Sequence, residues 1–256
     1  MLGGAGAITA AAAAASVSKV AMAALPEPVM QTKPDTMPPL VPNTGRPYNP
    51  VVTLNGWTLP WRMNNGVKEF HLVAEPVVRE MCPGFKAHLW GYNGQSPGPT
   101  IEVVEGDRVR LFVTNKLGEH TNLHTHGFHV SSMGNSDNIM VHLADGESFT
   151  YEYTLADDHP TGLFWYHPHN HGNVTNQLFA GLYGAILVTP KDAPKVDAER
   201  VLVLSDISLD SSGLPAKPNM MWQMMGREGD TLLVNGQVQP TYTAGKGGVE
   251  RWHIVN

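Results

Sequence analysis

The run FWYHPHNHG, residues 164–172, sets His167, His169 and His171 at every second position behind an aromatic triplet. Upstream, NLHTHGFHV at 122–130 repeats the spacing with His124 and His126 and adds His129. In an extended chain successive side chains face opposite ways, so His124 and His126 share one wall. Leu163, Trp165, His167 and His169 share another, with about 6.6 Å between neighbours. Neutral imidazole is the commonest protein metal ligand and suits copper, zinc, iron and nickel. A lone HxH pair is often two unconnected loop histidines. Two pairs, each at the end of an apolar stretch, can converge at one end of a sheet and offer four imidazoles. A mononuclear zinc or iron site would want an Asp or Glu ligand as well, so spacing alone leaves the metal open.

Other residues carry weaker chemistry. Asp137, in GNSDNI, follows His126 by eleven residues. It is a proton relay if it reaches the metal site by hydrogen bond, or an Asx turn in a Gly/Asn/Ser loop. Met220, Met221, Met224 and Met225 bring soft thioethers suited to Cu(I), but filling gaps in a β-domain core or loop is the more ordinary use of methionine. His129 reads as a satisfied loop histidine. His71, His88, His120, His142, His159 and His253 lack paired spacing. Cys82 is the only cysteine, which excludes an intrachain disulfide framework and any CxxC metal or redox motif.

The elements that must position the histidines show a period of two. In IEVVEGDRVRLFVTN, Val109, Leu111 and Val113 alternate with Arg108, Arg110 and Phe112 after a Gly106-Asp107 turn. Phe149, Tyr151, Tyr153 and Leu155 form a second stripe, and GLYGAILVTP at 181–190 is a short apolar run ending in proline. Strands separated by turn signals, without a helical period, predict an all-β antiparallel sandwich or barrel.

The chain has 256 residues, 42% of them hydrophobic and 16% charged, with 26 Gly and 20 Pro. That is enough apolar sequence for one or two domains, and the Gly and Pro content favours turns and short strands. A net charge of -6 leaves no basic footprint for nucleic acid. Residues 1–23 are small and apolar, and Ala21-Met22-Ala23 fits a signal-peptidase site. No Lys or Arg precedes Lys19, so the segment suits a twin-arginine type signal whose arginine pair precedes the present Met1. No membrane insertion of the mature chain is expected. A Pro-rich extended arm covers 24–56, a first β domain 57–190, a polar linker 191–199 and the start of a second β domain 200–256.

The ordered set WGYNGQSPGPTIEVVEGDRVRLFVTN, NLHTHG, FWYHPHNHG and LFAGLYGAILV resembles the first domain of the multicopper oxidases. DTLLVNGQVQPTYTAGKGGVERWHIVN is similar to the second domain of the bacterial three-domain, laccase-like members. The resemblance implies a Greek-key cupredoxin-like β-sandwich, one complete domain followed by an incomplete one. It also implies that His124 binds a type 2 copper and that His126, His167 and His169 bind a type 3 pair. His171 is not a ligand in that pattern and is left to hydrogen bonding behind the ligands or to loop packing. The family's acidic residue beside the trinuclear cluster is best matched by Asp137.

The implied chemistry is oxidation of a reducing substrate (a phenol, Cu(I) or another metal ion) coupled to reduction of dioxygen to water. The implied location is periplasmic or secreted. A type 1 copper needs a cysteine thiolate and two histidines, and no His-Cys-His segment is present. The chain thus supplies half of the cluster's ligands, is expected to be inactive alone, and would be completed by a further C-terminal cupredoxin domain. The alternative is a non-catalytic copper-binding or structural cupredoxin module.

Overall fold

The computed structural model describes residues 58–256 and the two-residue strand β1 (Met30–Gln31), so the signal-like segment and the rest of the Pro-rich arm lie outside the described residues. Among the described residues the chain is all-β with two short helices. The strands are β2 (Trp61–Asn64), β3 (Val67–Cys82), β4 (Phe85–Tyr92), β5 (Gly98–Val104), β6 (Arg108–Asn115), β7 (His124–His126), β8 (Ser148–Thr154), β9 (Gly162–His167), β10 (Gly184–Thr189), β11 (Ala198–Ile207), β12 (Thr231–Val234) and β13 (Glu250–Val255). Helix α1 (Val174–Phe179) follows β9, and α2 (Met220–Met225) lies between β11 and β12.

Two sheets form a sandwich. One runs β1-β8-β6-β3-β2, with β4 also paired to β3; the other runs β5-β10-β9-β7. Their inner faces meet in one core, with Phe70, Leu72, Leu111, Val113, Phe149 and Tyr151 from the first sheet and Ile101, Val103, Tyr166, Ile186 and Val188 from the second. The alternating stripes of β6 and β8 therefore do what their period predicts. Direction differs from expectation: β3 with β6, β5 with β10 and β11 with β13 are parallel pairs, so the sheets are mixed rather than antiparallel. A period of two fixes which side faces the core and says nothing of strand direction.

A third sheet, β12-β11-β13, lies against the back of the second. Val201 and Val203 of β11 pack on Ala185 and Leu187 of β10. This explains why GAILVT is a continuous apolar run: Ile186 and Val188 face the first core while Ala185 and Leu187 face the third sheet. A strand covered on both faces loses the polar half of its alternation. On the far face of the third sheet, Leu204, Leu232, Trp252 and Ile254 are exposed.

The methionines of α2 correct an expectation. Met220, Met221, Met224 and Met225 are 66–77% exposed, so they fill no gap in a core. Their helix has one end held by the Asn219 side chain, which accepts from the Trp222 N–H, while Arg227 lies over the Phe179 ring at 3.5 Å. Among the described residues no helix is long and apolar enough to cross a membrane.

Candidate metal centre

The three residues of β7 pair antiparallel with the end of β9, His124 opposite His167 and His126 opposite Trp165. Residues directly opposed in an antiparallel pair project to one face, so three imidazoles and the Trp165 indole share it. The alternate residues, Thr125 and Tyr166, are buried. Tyr166 Oη donates to the Pro99 carbonyl at 2.7 Å and pins the back of β9 to β5. After His126 the chain turns at Gly127, where φ is +90° and a Cβ would lie 2.8 Å from Phe164 Cδ1. Only glycine fits there without a shift of the ring.

One nitrogen from each of His124, His126 and His167 lies within 4.8 Å of the others. Nδ1 of His126 is 3.2 Å from Nε2 of His167. His169 reaches the group differently from the expected shared strand face. Strand β9 ends at His167 and Pro168 follows, so His169 sits in the turn beyond. Its ring still comes to 5.4 Å from that of His124 and 6.2 Å from that of His167, centroid to centroid. Nδ1 of His169 is buried and makes no hydrogen bond.

Asp137 joins from the loop after β7. Its Oδ1 accepts the Thr125 N–H at 2.8 Å, and its Oδ2 stands 2.8 Å from His124 Nδ1. That nitrogen is near enough for an ion pair but off the line of a ring N–H hydrogen bond. The buried carboxylate is thus turned to β7 rather than to a local Asx turn.

Burial governs the charge of the group. It is the main reason the His167 imidazole is pushed down to about 4; a hydrogen bond to the Pro168 carbonyl opposes it and the neighbouring histidines reinforce it. His126 is also lowered, first by partial burial and then by His124. Because the Pro168 carbonyl, 2.8 Å away, can only accept, His167 carries its proton on Nδ1 and presents a lone pair at Nε2.

The other histidines stay outside. His171 is exposed, its ring 6.0 Å from that of His169. The backbone N–H of His129 donates to His159 Nε2 at 3.1 Å, while His159 Nδ1 lies 2.8 Å from the Pro160 carbonyl. His120 and His142 stack at 4.0 Å, His71 lies 4.4 Å from Phe112, and His253 is 3.3 Å from Glu199. Cys82 ends β3, a strand of the other sheet.

The sequence profile of the multicopper oxidase family matches residues 76–193, a span that holds all four histidines and Asp137. The chain carries a multicopper oxidase domain. It is 31% identical over 186 residues to a multicopper oxidase of Staphylococcus haemolyticus, covering 71% of this chain and 40% of the relative. It superposes on the multicopper oxidase of Campylobacter jejuni, described as a metallo-oxidase, with TM-score 0.63 and 29% identity over 84% of this chain and 44% of that one. For the laccase-like multicopper oxidase of the lignin-degrading bacterium Ochrobactrum sp. the values are 0.60 and 31%, over 76% and 42%. The chain therefore spans less than half the length of these relatives.

The multicopper oxidases are copper oxidoreductases, and the residues of this domain fit that metal. The set is imidazole-rich and lacks thiolate, two of the rings are biased to the neutral, ligating form, and His169 leaves a buried nitrogen without a partner. Sequence reasoning missed two neighbours of the histidine group. Trp165 stacks on His167 at 4.1 Å and on His126 at 5.0 Å; alternation gives its face but not this contact. Asn122 bonds the His169 N–H, and nothing in the spacing marks it.

Proposed function

We propose that this domain supplies half of the trinuclear copper ligands of an oxidase that couples a reducing substrate to dioxygen. His124 would hold the type 2 copper, and His126, His167 and His169 the type 3 pair. The observation that carries the reading is the convergence of four imidazole rings from β7, β9 and the following turn, with the Asp137 carboxylate on one of them. When bound, copper supplies the redox chemistry: four electrons from the substrate and four protons convert one dioxygen to two waters.

The chain's own residues perform the supporting work. The Pro168 carbonyl fixes the His167 tautomer so that Nε2 faces the site. Burial keeps His167 neutral at neutral pH, so Nε2 keeps a lone pair that a metal can take. Asp137, held by the Thr125 N–H, sets its charge beside His124 Nδ1 and is placed to relay protons through Oδ2. His126 is exposed, so the centre is open to further ligands on that side.

Within these 256 residues the only thiol, Cys82, belongs to the other sheet. The place of that thiol is what favours the second reading, a non-catalytic copper-binding or structural cupredoxin module. We read residues 57–190 as the first cupredoxin domain, 191–199 as a linker whose last two residues already open β11, and 200–256 as belonging to a second domain. The signal-like residues 1–23 support a periplasmic or secreted location. The reducing substrate belongs to the part of the oxidase that would carry the type 1 copper.

The test is copper retention by the purified chain after desalting. The wild type should retain copper without an intense blue thiolate band, and replacing His167 and His169 together with Ala should abolish retention. Equal retention by the double variant, or a blue band in the wild type, overturns the reading.

A further inference from the structure

Asn122 is 1% exposed and lies two residues before His124. Its Nδ2 donates to the Ile139 carbonyl at 2.9 Å and to the Val141 carbonyl at 3.1 Å, and its Oδ1 accepts the His169 N–H at 2.6 Å. We propose that Asn122 is a positioning residue that holds His169 in the imidazole group. The proposal rests on the copper reading above for its consequence and on these three bonds for its geometry.

Three features make the role specific. His169 is the one member of the group outside the β7–β9 ladder, so strand pairing does not fix it. Pro168 has no N–H, so the first backbone donor after β9 is that of His169 itself. The two carbonyls from 139 and 141 use both hydrogens of the Asn122 amide, which removes the amide-flip ambiguity and directs the oxygen at His169. The same side chain ties down the stretch just after Asp137, so one residue links the β7 start, the carboxylate loop and the segment of His169.

The experiment uses the full chain as wild type, N122A, H169A and N122A/H169A. Without copper, amide hydrogen exchange reads the His169 N–H directly. It should be protected in the wild type and lose that protection in N122A. With Cu(II), a chelator competition gives affinity and pulsed EPR counts the coupled imidazoles. N122A should weaken binding by about 10-fold or more, in the range known for groups that hydrogen-bond metal ligands, and should lose one coupled imidazole. The double variant should bind no more weakly than H169A, because both changes remove the same ligand.

An unprotected His169 amide in the wild type overturns the proposal, as does N122A with His169 still coupled, or losses that multiply in the double variant. If N122A does not fold, exchange at the His169 N–H of the wild type decides: protection supports the bond and its absence overturns it. A wild type that binds no copper defeats the oxidase reading, while amide protection still judges Asn122.

Discussion

Nδ1 of His126 lies 3.2 Å from Nε2 of His167 across the β7–β9 pair. The Pro168 carbonyl fixes the His167 proton on Nδ1, so Nε2 can only accept, and in the metal-free chain the His126 N–H fills it. Both rings would serve as copper ligands when the metal is bound.

His126→Ala should therefore lower Cu(II) affinity by at least the 10–100-fold that losing a group behind a metal ligand costs. Because the ring has an exposed edge, stability should change by only about 0.5 kcal/mol. Chelator competition and urea unfolding of the same variant check the two halves.

Asp137→Asn keeps an oxygen for the Thr125 N–H but removes the charge beside His124. Copper affinity should fall by about 10-fold or more, with the β7 backbone intact. Competition titration reads the first effect, and hydrogen exchange at Thr125 the second.

Gly184→Ala tests the wall behind the site. A Cβ there would lie 2.3 Å from Tyr166 Cζ and Oη, and the ring cannot retreat because Oη is bonded to the Pro99 carbonyl. Overpacking of this kind costs about 1–3 kcal/mol, read as a lower urea midpoint at an unchanged slope.

Acid should loosen the third sheet. Hydrogen bonds from Arg200 and then Trp252 hold the Glu250 carboxyl down to about 2, against the ordinary 4.5. A carboxylate whose folded-state value is depressed stabilises the fold above its unfolded value, and that contribution is lost as pH falls toward the folded one. Unfolding midpoints should drop between 4.5 and about 2, and Glu250→Gln should flatten that part of the drop.

The paired spacing of His124 with His126 was legible because strand alternation places both on one wall, and β7 keeps it. His169 followed the same rule only in part. Pro168 ends the strand, yet the turn returns the ring to the group, a result of the Asn122 bond that spacing does not encode. The stripes of β6 and β8 announced the core, while the parallel pairing of β3 with β6 left no trace in them. Helices α1 and α2, at six residues each, are too short to show a helical period. The α2 methionines look like core by residue type alone, and their exposure depends on where the loop after β11 lies.

The most direct test of the central claim is an anomalous difference map at the copper edge from crystals of the copper-loaded chain. Peaks are expected among the rings of His124, His126, His167 and His169, with Asp137 Oδ2 still beside His124. Copper found only elsewhere, at the His120–His142 stack or the exposed thioethers of α2, would contradict it.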